Sequence, residues 1–123
     1  MSTATRLQRG AASEYLASEY LQAHGLQVIA HNLRCKGGEL DLVCLDGCVL
    51  AIVEVRQRVC AHFGGAVGSV NRRKQRKIVR AARFFLRRET AWHDLVIRFD
   101  VVGVEGLPDA TPRIVWVKDA FRA

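Results

Sequence analysis

Apolar residues recur along this chain first at helical spacing, then as strand-like runs, then at helical spacing again. In RGAASEYLASEYLQAH, residues 9–24, Ala12, Leu16 and Tyr20 with Ala17 and Leu21 form one stripe, and Gly25 closes the segment. LQVIAHNLR, residues 26–34, reads as a strand, and CKGG as a loop. ELDLVCL and CVLAIVEVRQR then predict two strands separated by Asp46-Gly47. Residues 59–68 read as a connecting loop. SVNRRKQRKIVRAARFFLRRE, residues 69–89, returns to helical period with Ile78, Val79, Ala82, Phe85 and Leu86 on its apolar side. LVIRFDVVGV (95–104) and RIVWVKD (113–119) supply two last strands.

Asp-Gly between apolar runs predicts a two-residue type I′ turn, and that turn dictates a register. Leu45 faces Cys48, Val43 faces Leu50, Asp41 faces Ile52 and Glu39 faces Glu54. Side chains alternate with period two, so Glu39, Asp41, Glu54 and Arg56 share one face. Leu40, Leu42 and Cys44 fall on the other with Val49, Ala51, Val53 and Val55. Apart from the acidic end, both faces are apolar, which places the hairpin at the centre of a sheet covered by helices on each side. The order α-β-β-β-α-β-β predicts one α/β domain spanning 1–123, with the acidic end opening into a cleft.

Composition narrows the setting. The chain has 123 residues, half of them apolar and a quarter charged, enough to build one core without staples. Its longest apolar run, CVLAIV, is far below the roughly 20 residues of a membrane helix. MSTATRLQRG lacks the apolar core of a secretory leader, so a cytoplasmic protein with no membrane partner is expected. Cys35, Cys44, Cys48 and Cys60 contain no close pair, and neither a disulfide framework nor a zinc site is expected. Nineteen Lys and Arg against twelve Asp and Glu leave a charge of +7. Much of that excess lies on the second helix, as Arg73, Lys74, Arg76, Lys77, Arg80, Arg83 and Arg87, the pattern of a surface for DNA or another nucleic acid.

Two carboxylates on neighbouring strands facing one cleft suit a hard divalent ion, since Mg²⁺ takes oxygen ligands and commonly uses one or two carboxylates plus water. Arg56 beside them suits a phosphate oxygen. A plainer reading stands beside this one: strand-end acids and basic helix faces are often simply solvated, and Arg98 with Asp100 reads as a cross-strand ion pair.

The motifs, in their order and spacing, resemble the small bacterial YraN family over nearly the whole chain. They run from Gly10, Glu14 and Tyr20-Leu21 through Asn32-Leu33-Arg34 to Gly38-Glu39-Leu40-Asp41 and Glu54-Val55-Arg56-Gln57-Arg58. Phe63-Gly64, Lys74, Arg98-Phe99-Asp100-Val101 and Asp119-Ala120-Phe121 complete them. That family looks like a branch of the PD-(D/E)XK nucleases, which include Holliday-junction resolvases. The resemblance implies a restriction-endonuclease-like mixed central sheet flanked by helices. It also implies metal ligation by Asp41 and Glu54, with Glu39 as a further ligand and Glu14 as an accessory carboxylate. Mg²⁺ or Mn²⁺ is the implied cofactor, branched or damaged DNA the implied substrate, and a homodimer an open expectation.

One position departs from the motif. Its lysine is replaced by Arg56, which cannot lose a proton and so cannot act as a general base, though it can clamp phosphate. Lys36 is a second candidate cation. Three readings stay open: a metal-dependent endonuclease, a nuclease-fold DNA-binding protein whose chemistry has lapsed, and a basic module for an acidic protein partner. Nucleic-acid binding ranks above catalysis.

Overall fold

The computed structural model describes residues 6–58, 65–106 and 111–123. Helix α1 (Arg6–Ala23) leads into strands β1 (Gln27–Cys35), β2 (Gly38–Asp46) and β3 (Val49–Arg58). A single helical turn, α2 (Gly65–Gly68), precedes the long helix α3 (Arg72–Arg88). Strands β4 (Val96–Glu105) and β5 (Arg113–Phe121) complete the chain. The five strands form one sheet in the order β1-β2-β3-β4-β5. Only β3 and β4 run parallel. A parallel neighbour needs a crossover, and α3 lies within that connection.

The sheet is mixed and covered on both faces. On one, α3 lays Ile78, Ala81, Ala82 and Phe85 over Val43, Leu50, Ile52, Phe99 and Val101. On the other, Ala17 and Leu21 of α1 cover Leu42, Cys44, Ala51, Val53 and Val102. Each large side chain so buried contributes about 1.5–3 kcal/mol, which is why the uncharged length of the hairpin sits in the middle. The expected α1 stripe is rotated: Ser13 is buried with Ala17 and Leu21, while Ala12 is exposed.

The hairpin register differs from the sequence reading by two residues. Asp46 pairs with Val49, Leu45 with Leu50 and Val43 with Ile52, so the turn is Gly47-Cys48. Asp46 stays in the strand, where its carboxylate accepts from Arg98 Nη2 at 2.9 Å. Gly47 takes a φ of 60°, as the first central residue of a type II′ turn requires. An even slip preserves the faces, so Glu54 keeps its side of the sheet. The expected pairings of Asp41 with Ile52 and Glu39 with Glu54 do not form; Glu39 lies opposite Arg34 of β1.

Leu40 is a second correction. It packs against α3, on the face opposite Leu42. The β1–β2 ladder runs to His31 opposite Leu42 and resumes at Leu33 opposite Leu40, and between them Asn32 adopts a φ of 49°. Asn tolerates this left-handed conformation better than most residues. One residue there reverses the alternation of both strands, and the residue facing Asn32 across the break is Asp41.

Arg98 and Asp100 are paired along one strand rather than across two. Arg98 Nε donates to Asp100 Oδ1 at 2.8 Å and Nη2 to Oδ2 at 2.9 Å. Trp116 Nε1 and the Asp119 amide also donate to Asp100, which is 0% exposed. This fully bonded carboxylate ties β4 to β5 and, through Arg98, to the hairpin turn.

A carboxylate cleft beneath the basic helix

At the break in β2, the main-chain ladder to β3 ends at Leu42 opposite Val53. The next β3 donor is taken over by a side chain: Val55 N–H donates to Asp41 Oδ2 at 2.9 Å. Glu54, only 7% exposed, follows Val53, the last β3 residue paired with β2, and comes within hydrogen-bonding reach of Asp41. Both lie in a cleft of about 400 Å³ between the end of the hairpin and the first turns of α3, together with Glu39, Arg56, Lys74 and Lys77.

Two carboxyls in contact below a helix cannot both ionise freely. Burial raises the Glu54 pKa to about 8, and the neighbouring Asp41 charge pushes it the same way. Burial also raises Asp41, but the Val55 amide and Glu54 donate to it and favour its charged form. Glu54 is therefore the protonated member and Asp41 the carboxylate. Among the described residues no three Asp, Glu, His or Cys side chains are arranged to hold an ion by themselves. Two carboxylates with water are a donor set whose chemistry suits Mg²⁺ or Mn²⁺.

Arg56 is held rather than free. Its Nε donates to Ser69 Oγ at 3.0 Å, and its Nη1 stands 4.0 Å from Glu54 Oε1. Glu14 lies apart from the other acids, in a neighbouring recess of about 250 Å³ with His31 and Asn32. Burial, then the Asp41 charge, raises its pKa, so it senses the cleft electrostatically from the α1 side. Lys36 points elsewhere: it lines a depression with Arg80, Phe84 and Arg87.

The basic residues of α3 divide into two sets. Arg76, Arg80 and Arg83, with Arg72 and Arg122, border an outward groove of about 570 Å³. Arg73 and Arg87 are exposed as well. Lys74 belongs to the inner side, four residues before Ile78 and eleven before Phe85, in line with the buried stripe. Helical spacing alone contained that signal, and the sequence reading, which grouped Lys74 with the outward arginines, missed it. Asn71 caps this turn, accepting from Lys74 N at 2.9 Å. Gly37 and Gly38 let the β1–β2 turn press against the same helix; a Cβ on Gly37, whose φ is 95°, would stand 2.6 Å from Arg80 Cδ.

A model of the uncharacterised protein family UPF0102 matches residues 13–104, from α1 through β4. The chain belongs to this family. UPF0102 is the YraN-like family of the expected resemblance. A UPF0102 protein of Pseudomonas putida KT2440 is 49% identical over 121 residues, covering 98% of each chain. Another from Pseudomonas syringae pv. syringae B728a is 47% identical over the same share. The cleft acids, Arg56 and Lys74 all lie inside the span that the UPF0102 model matches. No helix among the described residues is long and apolar enough to cross a membrane. Cys35, Cys44 and Cys48 are free thiols, and burial pushes Cys44 up to about 12. Cys60 and Phe63-Gly64 lie outside the described residues.

Proposed function

We propose that this UPF0102 protein binds nucleic acid and carries a divalent-ion site at Asp41 and Glu54, acting as an endonuclease on branched or damaged DNA. The observation that carries the reading is the Asp41–Glu54 pair in one cleft, with Glu54 buried, beneath a helix whose outer side is lined with arginines. Burying two acids together is costly, and a site that exists to receive a cation accounts for it. The family resemblance to PD-(D/E)XK nucleases supplies the substrate class.

Asp41 and Glu54 would hold Mg²⁺ or Mn²⁺, with Glu39 at the rim; such an ion supplies charge neutralisation at the phosphate and a more acidic water. Glu54 would give up its proton to serve as a ligand. Asp41 is held by the Val55 amide. Arg56 is fixed by Ser69 through its Nε, and its Nη1 faces Glu54. The α3 arginines would hold the backbone of the polyanion without reading sequence.

A second reading rests on one observation: Arg56 replaces the motif lysine and is tied to Ser69. A protein with this site that binds metal and DNA without cutting would be a lapsed nuclease. Labelled linear and four-way-junction DNA in Mg²⁺ or Mn²⁺, with wild type, Arg56→Lys and Glu54→Ala, separates the two. Cleavage by wild type that disappears in Glu54→Ala supports the enzyme. Cleavage only by Arg56→Lys supports the lapsed nuclease. Salt-insensitive or absent DNA binding removes both in favour of a protein-interaction module.

A further inference from the structure

We infer that Lys74 of α3, not Arg56, is the cation that meets the attacked phosphodiester in the cleft, an assignment that rests on the endonuclease reading above. Three observations converge on it. Lys74 lines the same cleft as Asp41 and Glu54, whereas Arg72, Arg76, Arg80 and Arg83 border the outward groove. Its place at the head of the buried stripe of α3 points its stem inward, and the Asn71 cap fixes that turn. Arg56, the residue at the motif position, already spends its Nε on Ser69 and turns Nη1 toward Glu54.

No ion pair within 4 Å ties down the Lys74 ammonium among the described residues, which leaves its donors for a ligand. The charges that act on it are those of Glu54 and Asp41, which attract it, and of Arg56 and Arg58, which repel it. An ammonium lining the cleft that holds both acids is within reach of a phosphate oxygen bound there. Three donors on a flexible stem can follow that oxygen as the phosphorus changes geometry.

The step needs no other reactant. A water oxygen bonds to phosphorus while the ester P–O bond breaks. One water proton passes to the departing oxygen and the other to solvent. Lys74 stays an ammonium throughout and donates to a non-bridging oxygen, which carries more charge in the transition state than before it. The helix thus supplies to this active site the charge that the motif position cannot deliver freely.

The test compares wild type with Lys74→Met and, as a charge-matched control on the far strand, Lys118→Met. Three quantities are read: Mn²⁺ affinity by EPR without DNA, the Mn²⁺-dependent gain in affinity for a short DNA duplex, and the single-turnover cleavage rate. Lys74→Met should bind Mn²⁺ at least about threefold tighter, because a cation beside the carboxylates is gone. It should also lose the Mn²⁺-dependent gain in duplex affinity, and its cleavage rate should fall by about 100-fold. Lys118→Met should match wild type in all three. A Lys74→Met protein that keeps the gain in duplex affinity, or cleaves at the wild-type rate, overturns the assignment. A wild type that neither binds Mn²⁺ nor cuts DNA overturns the endonuclease reading itself and takes this assignment with it.

Discussion

Replacing Glu54 by Gln should stabilise this protein, and increasingly so as the pH rises. In the native state burial holds the Glu54 proton until about pH 8, against an ordinary value of 4.5 in an unfolded chain. Between those limits the native state binds more protons than the unfolded one, so wild-type stability falls as pH rises through the window. Each unit of displacement corresponds to about 1.4 kcal/mol, giving a ceiling of about 4 kcal/mol at pH 7.5. Gln carries no charge to neutralise and can still donate to Asp41, but burying its amide has a cost of its own. About half the ceiling, roughly 2 kcal/mol at pH 7.5, is the expected gain. Near pH 4.5 both states of the wild type are protonated there and the gain should vanish. Urea unfolding of the two proteins from pH 5 to 8 measures it directly. Parallel stability curves would mean that Glu54 ionises in the folded protein like an exposed acid, and burial would not hold its proton as described above.

If the proposed ion site is right, the same proton should govern metal loading. Below about pH 8 Mn²⁺ must displace it, so Mn²⁺ affinity should rise by up to about tenfold per pH unit toward that value, as read by EPR titration. Glu54→Ala should abolish Mn²⁺ binding yet leave metal-free, low-salt DNA affinity unchanged below about pH 8, because Glu54 is neutral there and Asp41 keeps the charge; retained Mn²⁺ affinity would disprove the ligand assignment. Arg76, Arg80 and Arg83 to Ala together should weaken binding to any DNA sequence and flatten the slope of log K against log salt by about 2–3, measured by fluorescence anisotropy. Asp100→Asn should destabilise the fold by about 3 kcal/mol in urea unfolding, because Arg98 loses a fully buried partner.

How far the sequence could be read follows from the kind of signal at each position. Core-forming stripes survive small errors: Ile78, Ala82 and Phe85 were recognisable from spacing, and the two-sided apolar hairpin announced a central pair of strands. The cleft acids were recoverable because the misplaced turn slipped the register by two, leaving Glu54 on its face. An odd slip would have moved it. Leu40 was misassigned because a single backbone conformation at Asn32 breaks the alternation, and one Asn in a β-rich run does not declare a positive φ. Glu14 was expected beside the cleft acids and lies in an adjoining recess, since the rotation of α1 depends on Ser13 being buried in place of Ala12. Lys74 disappeared into a crowd of like charges. Its separation from the arginines was written in the helical spacing, but only contact with β2 and β3 gives that spacing a meaning.

The Val55 amide has a use beyond holding Asp41. Where the β2 ladder stops, this one main-chain proton bonds to a carboxylate instead of a carbonyl, so its magnetic resonance frequency follows the charge on Asp41. A single backbone ¹⁵N–¹H signal would then report proton loss, ion arrival and phosphate approach in the unmodified protein. The same bond makes Asp41→Asn the better probe of the site than Asp41→Ala. The amide oxygen keeps accepting from Val55, whereas a methyl group would leave a strand donor without its partner and confuse a hole in the sheet with a lost ligand.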